Sequence, residues 1–333
     1  MVKILISDYP DSMMPTHDYE KEVLIKGLDD CEICVHAFDE NNKEAFYEEL
    51  KDADALLTGF IHMGKEEFDH APKLKIVSMN ATGYDNVDLA EANKRGIGVC
   101  PVGEYCTIDV AEFTISSILY LLKNLKRHQK NIDDKHIWEY AEPTAQPRFS
   151  DLTIGIIGFG KIGKTVARLA KGLGIKEVLA NDPFIDKALF KEHGVTEASP
   201  EEIQQRADII CNHMNLNETN YNYFDKKFFE GCKQKPYFIN MGRGACVVEP
   251  ELIAALDEER LRGVAVDVLS DETPDLANHP LVGRDNTLVT PHAAFYTTTS
   301  VKELQRISCE NIICFLNKAY DDVFKLVNRD LFD

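Results

Sequence analysis

The stretch Leu152–Asp182, LTIGIIGFGKIGKTVARLAKGLGIKEVLAND, constrains the fold more than any other part of the chain. A short apolar run, Thr153 to Ile157, has strand length. The turn Gly158-Phe159-Gly160-Lys161-Ile162-Gly163 follows, and then Ile162, Val166, Leu169, Ala170 and Leu173 recur at helical spacing. Gly174 stands where such a helix stops, and a second apolar run, Val178 to Ala180, leads into Asn181-Asp182. A G-x-G-x-x-G alone is weak. Here the strand, turn, helix, strand and acid all fall within the roughly 30 residues that a dinucleotide-binding unit takes. The first glycine lets the chain turn off the strand, the second lets backbone N–H groups approach a pyrophosphate, and the third lets helix and strand pack closely. The helix N-terminus holds the anion. Gly158, Gly160, Lys161, Ile162 and Gly163 are therefore expected at the cofactor, with Asp182 accepting from the adenosine ribose hydroxyls. That acid favours NAD, because it repels a 2′-phosphate and the next residues, Pro183 and Phe184, bring no positive charge.

A chain of 333 residues has room for two domains. Its formal charge of −19 disfavours nucleic acid and anionic membranes as partners, though not a small anionic substrate held by one arginine. No run of 18 apolar residues marks a membrane span, and MVKILISDYPDS reads as a strand and a polar turn rather than a signal peptide. Nine cysteines without framework spacing fit a reducing cytoplasm. Cys31-Glu32-Ile33-Cys34 lies in a strand-like segment with no second pair nearby, so no metal is expected.

Short apolar runs at 3–6, 32–38, 54–58, 74–79 and 97–99 alternate with helix-like segments such as Tyr19–Gly27 and Lys43–Lys51, which predicts a small parallel sheet. Within it, Asn80–Asn86 follows a strand, and Gly83 can turn backbone N–H groups toward an anion. Residues 107–130 read as a single long helix. Residues 131–151, with Pro143, Pro147 and the only tryptophan, Trp138, read as an irregular arm for dimerisation. Beyond Asp182, strands at 208–212, 237–240, 263–268 and 287–289 continue a doubly wound sheet, in which ligands bind outside the carboxyl ends of the strands. Arg243, Asp267, Glu272 and His292 all follow strand ends. The amphipathic tail 300–316 is expected to pack back on the first sheet. The expected architecture is α/β: two doubly wound parallel-sheet domains joined by a hinge, with the active site in the cleft. One domain takes 1–100 with 298–333; the other, the NAD-binding Rossmann domain, takes 101–297.

Reduction of a carbonyl by a nicotinamide needs a cation with fixed geometry for the substrate carboxylate, a group that polarises the carbonyl, and a proton donor. The planar fork of Arg243 suits the first two tasks. His292 suits the third, because an imidazole titrates near neutral pH. Glu272 is the candidate carboxylate beside it.

The chain resembles the D-2-hydroxyacid dehydrogenases over nearly its whole length. The likeness is carried by Gly158–Gly163 with Asp182, Asn240-Met241-Gly242-Arg243-Gly244, Asp267-Val268 with Glu272, Pro291-His292, Gly83-Tyr84-Asp85-Asn86-Val87-Asp88 and Val110-Ala111-Glu112. It implies a triad of Arg243, Glu272 and His292, with the backbone N–H groups of Thr82 and Gly83 on the substrate carboxylate. It also implies that Asp267 holds the nicotinamide carboxamide, that Ile162, His213, Met241 and Gly242 line the cofactor site, and that the protein is a homodimer. Tyr105, seven residues before Glu112, and Phe295-Tyr296-Thr297 after the histidine resemble the D-lactate and D-2-hydroxyisocaproate dehydrogenase branch. Aromatic walls at Tyr105 and Phe295 favour a 2-oxo acid with an apolar side chain. The sequence departs from the family's habit at Asn215, at Met241-Gly242 and at Cys106-Thr107-Ile108-Asp109.

The leading reading is an NAD-dependent, cytoplasmic oxidoreductase that interconverts a 2-oxo acid and an (R)-2-hydroxy acid. The same scaffold could oxidise phosphoglycerate or phosphite, but no basic cluster is evident near Thr82, Tyr105 or Phe295. A third reading, an NAD-sensing binding protein resembling the C-terminal binding protein corepressors, fits poorly with the −19 charge and the lack of long disordered flanks.

Overall fold

A computed structural model describes residues 1–14, 16–141, 144–271 and 274–332. The chain forms two compact units: Met1–Tyr105 with Thr297–Asp333, and Cys106–Tyr296.

The first unit holds five parallel strands: β1 (Val2–Asp8), β2 (Cys31–Ala37), β3 (Ala55–Thr58), β4 (Ile76–Met79) and β5 (Gly98–Pro101). Their order is β2-β1-β3-β4-β5, one of the two common doubly wound orders. Side chains alternate across a strand, so each buried strand feeds two cores. Leu5, Leu56, Val77 and Val99 pack on one face; Ile4, Ile6, Ala55, Leu57 and Ile76 pack on the other. That double burial explains why these strands read as unbroken apolar runs. The chain's last long helix, Thr298–Leu316, belongs here: Cys309, Ile312 and Phe315 fill the second core, and the Ser78 hydroxyl donates to the Ser308 carbonyl at 2.8 Å.

The second unit holds β6 (Thr153–Ile157), β7 (Glu177–Asn181), β8 (Thr196–Glu197), β9 (Ile209–Asn212), β10 (Tyr237–Asn240), β11 (Gly263–Val266) and β12 (Thr287–Val289). All seven are parallel, in the order β12-β11-β10-β9-β6-β7-β8. Ile154, Ile156, Ile209, Cys211, Ile239 and Ala265 face one core, and Ile157, Leu179, Ile210, Phe238, Val264 and Val266 face the other.

The long helix expected over 107–130 is two helices, Thr107–Leu122 and Leu125–Asp133. Asn124 between them takes the left-handed region, φ 50°, which asparagine tolerates better than most residues. The apolar periodicity continues past the break, so spacing alone did not reveal it. Beyond Asp133, Trp138 and Tyr140 are 90% and 93% exposed. Pro143 lies outside the described residues. Among the described residues no helix is long and apolar enough to cross a membrane.

Candidate active site

Because the second sheet is parallel, the carboxyl ends of its strands share one edge. Across β6, β9, β10, β11 and β12 the register aligns Ile157, Asn212, Asn240, Val266 and Val289 in one row. The next residues, Gly158, His213, Met241, Asp267 and Thr290, are therefore the first to leave the sheet, side by side. The order of the chain reverses between β6 and β9, and it is at such a switch point that a doubly wound sheet opens a crevice.

At that point Gly158 has φ 91°, and a Cβ there would lie 2.6 Å from the Met214 nitrogen and 2.7 Å from the His213 carbonyl carbon. A Cβ on Gly163 would lie 2.3 Å from the Gly158 oxygen, so the helix Lys161–Gly172 sits directly against the turn. Gly160 caps this helix without a side-chain bond, and a Cβ there would meet nothing within 4 Å. A helix N-terminus thus opens onto clear space, which suits an anion. Asp182 is fixed beside the turn, its carboxylate accepting from the Phe159 nitrogen at 2.9 Å and the Phe184 nitrogen at 3.0 Å. Lys161 is exposed, while Ile162 is half-buried against the core.

His213 follows β9. Neither of its ring nitrogens has a partner among the described residues, and burial pushes the imidazole down to about 4, so the ring is neutral. The Met241 side chain lies in the core, 7% exposed, which leaves its backbone to face the edge. A Cβ on Gly242 would lie 2.8 Å from the Met214 carbonyl oxygen. Arg243 is half-buried and donates from Nη1 to the Gly242 carbonyl at 2.9 Å. Gly244 lets this turn pass against 269–270, since a Cβ there would lie 1.7 Å from the Leu269 oxygen.

Asp267, 2% exposed, organises the loop after β12. Its Oδ1 accepts from the Thr290 hydroxyl at 2.5 Å and the Ala293 nitrogen at 2.9 Å, and its Oδ2 accepts from the Ala294 nitrogen at 2.8 Å. Its own carbonyl accepts from the His292 nitrogen at 2.7 Å. His292, between these anchors, has φ 51°, a conformation that costs a non-glycine residue about 1–2 kcal/mol and persists only where the surroundings impose it. The Phe295 ring stands edge-on to the imidazole, centroids 6.4 Å apart. Glu272 lies outside the described residues.

In the first unit, the loops after β4 and β5 are tied together. The Val102 nitrogen donates to the Ala81 carbonyl at 2.9 Å, and the Thr82 hydroxyl donates to the Gly103 carbonyl at 3.0 Å. Gly83 is half-buried, and Tyr105 packs on Val102, Leu304 and Ile307. The arrangement thus gathers Gly158, Asp182, His213, Gly242, Arg243, Asp267, His292 and Phe295 on one sheet edge, and Thr82, Gly83 and Tyr105 on the other unit's. Sequence reasoning named Asn240 only as part of the family motif and missed its pairing with Asn212; the two side chains bond to each other beneath this edge at 2.9 Å. The signal was two apolar strands, IICN and YFIN, that both end in asparagine.

The profile of the D-isomer specific 2-hydroxyacid dehydrogenase NAD-binding domain matches residues 115–294. The chain is 31% identical over 294 residues to a glyoxylate reductase of Korarchaeum cryptofilum, covering 87% of each. It is 31% identical over 306 residues to a D-lactate dehydrogenase of Staphylococcus aureus, covering 87% of this chain and 91% of that one. The structure of the Aquifex aeolicus D-lactate dehydrogenase complexed with NAD and lactic acid superposes with a TM-score of 0.83 at 26% identity, covering 97% of this chain and 98% of that one. The chain belongs to the D-isomer specific 2-hydroxyacid dehydrogenases. Its cofactor is NAD. The residues of this dehydrogenase fit that group: an open, uncapped helix start for the pyrophosphate, a fixed carboxylate at Asp182 for the ribose, and two orphaned ring nitrogens on His213 at the edge.

Proposed function

We propose that this dehydrogenase reduces a 2-oxo acid with an apolar side chain to the (R)-2-hydroxy acid. The reading rests chiefly on the loop that holds His292 in a left-handed conformation through Asp267, on the same sheet edge as Arg243. NADH supplies a hydride to the carbonyl carbon. The Arg243 guanidinium grips the substrate carboxylate and polarises the carbonyl oxygen through its fork of donors. The backbone N–H groups of Thr82 and Gly83 add donors to that carboxylate. His292 gives its proton to the oxygen as the negative charge develops there, and Glu272 orients the imidazole. Met241 and Gly242 offer the cofactor backbone groups. Neutral His213 and Ile162 line the cofactor site. Phe295 beside His292, and Tyr105 in the first unit, supply aromatic surface for the substrate side chain. The names of the relatives, which specify glyoxylate and lactate, support a small 2-oxo acid.

The enzyme is further proposed to be a cytoplasmic homodimer, with 131–151 as the arm; exposed Trp138 and Tyr140 support this use of the segment. The test is NADH oxidation by purified protein with pyruvate, 2-oxoisocaproate, phenylpyruvate, glyoxylate and hydroxypyruvate. Turnover is expected with at least one, and Arg243→Ala should lower its kcat/KM by roughly 10²–10³-fold, the loss typical of a removed charge-stabilising donor. Silence with every 2-oxo acid refutes the reading.

A further inference from the structure

Two loops must hold position for this chemistry: 213–214 after β9, which backs the glycine turn, and 241–243 after β10, which carries Arg243. Beneath them lie Asn212 and Asn240, 0% and 1% exposed and opposite each other in the sheet register. The Met214 nitrogen donates to Asn212 Oδ1 at 3.0 Å, and the Gly242 nitrogen donates to Asn240 Oδ1 at 3.2 Å. These backbone donors fix which way each amide faces, because an N–H can only be met by an oxygen. Asn212 Nδ2 is thereby directed onto Asn240 Oδ1 at 2.9 Å, and Asn240 Nδ2 onto the Arg243 carbonyl at 3.3 Å. The contact leaves no slack: a Cβ on Gly242 would fall 2.9 Å from Asn212 Nδ2.

We propose that Asn212 and Asn240 are a positioning pair that locks the cofactor-side loop to the arginine loop, so that Arg243 is set relative to the glycine turn before substrate arrives. The inference builds on the function proposed above. A buried hydrogen-bonded network fixes one arrangement where an apolar contact would allow several. Neither amide touches the reacting atoms. The Asn212 amide reaches the Arg243 carbonyl through Asn240, its Oδ1 holds the Met214 backbone, and its own backbone carbonyl accepts from the Met241 nitrogen at 3.3 Å.

The two ends separate by mutation. Asn212→Asp keeps the acceptor for the Met214 nitrogen but turns an oxygen toward Asn240 Oδ1. Asn212→Leu, of similar volume and without charge, removes both bonds. Three quantities are measured on protein shown to be folded by its thermal melt: NADH affinity by fluorescence without substrate, affinity of the NADH complex for oxamate as a pyruvate isostere, and kcat/KM for the best 2-oxo acid. For Asn212→Asp the expected result is NADH affinity within about twofold of wild type. Oxamate affinity and kcat/KM should both fall about tenfold, the scale of one lost hydrogen bond. Asn212→Leu should show the same loss toward oxamate and, in addition, NADH binding weakened by about threefold. Wild-type values for oxamate and kcat/KM in folded Asn212→Asp overturn the proposal. So does an equal loss of NADH and oxamate affinity in both variants, which is what generally loosened packing would give. If wild type binds NADH but turns over no 2-oxo acid, the functional reading falls, and the pair is then judged by the NADH and oxamate comparisons alone.

Discussion

Asp267→Asn is the most informative substitution, because it distinguishes a carboxylate that serves the cofactor from one that serves the histidine's loop. In the structure three donors converge on this side chain, from Thr290, Ala293 and Ala294. An amide in its place has one acceptor oxygen. If that oxygen keeps Thr290 and Ala293, the NH2 group points at the Ala294 N–H, and a buried donor is left unmet. A bond to a charged acceptor is worth about 1.5–3 kcal/mol, and stranding the donor costs at the upper end of that range. His292 also stores about 1–2 kcal/mol in its left-handed backbone, which the weakened loop no longer has to retain. A loss of about 2–3 kcal/mol in the productive loop arrangement corresponds to roughly 30- to 150-fold in kcat/KM. The assay is steady-state reduction of the best 2-oxo acid, with NADH affinity measured separately by fluorescence. The expected pattern is a large fall in kcat/KM with NADH affinity within about threefold of wild type. Thr290→Val, which removes one donor and leaves both backbone N–H groups bonded, should cost only about two- to tenfold. If Asp267→Asn weakens NADH binding by as much as it weakens catalysis, the carboxylate serves the cofactor and the reasoning from the loop is refuted.

Gly158→Ala should weaken NADH binding by about 100-fold or more while the protein still folds, because a Cβ at φ 91° presses on the His213–Met214 backbone that walls the crevice; unchanged affinity in a fluorescence titration refutes this. Gly244→Ala should destabilise the protein by about 3 kcal/mol or more, read as a lower urea midpoint, since its Cβ would collide with the Leu269 carbonyl rather than with a flexible side chain. The buried ring of His213 sets an acid limit on stability. Its folded pKa is about 4 against 6.5 ordinarily, so between those values the unfolded chain takes up a proton that the folded chain refuses. Stability therefore falls as pH drops from 6.5 toward 4, by about 3 kcal/mol from this group. His213→Leu should flatten that part of a urea-midpoint profile, and an unchanged slope contradicts the assignment.

What the sequence disclosed follows the range of the forces involved. The glycine turn was legible because its spacing is local, with Gly163 answering to the Gly158 backbone, although Gly158 itself answers to the His213–Met214 backbone from a neighbouring strand. The inner strands of both sheets were legible because burial on two faces leaves continuous apolar runs, whereas the short edge strand Thr196–Glu197, exposed at both residues, was not. The register that brings Asn212 opposite Asn240 is a tertiary fact, and from either strand alone a terminal asparagine is indistinguishable from a turn residue. The break at Asn124 was hidden because Leu125 continues the apolar spacing while the backbone does not. Asp267 was legible as a strand-end residue, but the donors that occupy it come from a loop 23 to 27 residues further on, which only the fold brings back.

The two sheets also show why a chain with two doubly wound units has one address for a dinucleotide. In the first sheet the strand order reverses between β1 and β3, which by the same rule marks a crevice. That crevice holds the chain's own carboxylate. Asp8, ending β1 and 7% exposed, accepts from the Gly59 nitrogen at 2.6 Å and the Phe60 nitrogen at 3.2 Å, the donors a bound anion would need. Burial raises its pKa, and the backbone donors of Gly59, Tyr9 and Phe60 offset only part of that rise. A Cβ on Gly59 would lie 2.9 Å from the Asp8 Oδ2, so the fit is as tight as a ligand's. In the second sheet the corresponding position carries Gly158 and an uncapped helix start, with open space over Gly160. A dinucleotide is therefore excluded from the first unit by occupancy and admitted to the second by vacancy of side chains. Further along the same edge, after β4, lie Thr82 and Gly83, whose backbone N–H groups are the ones proposed above for the substrate carboxylate.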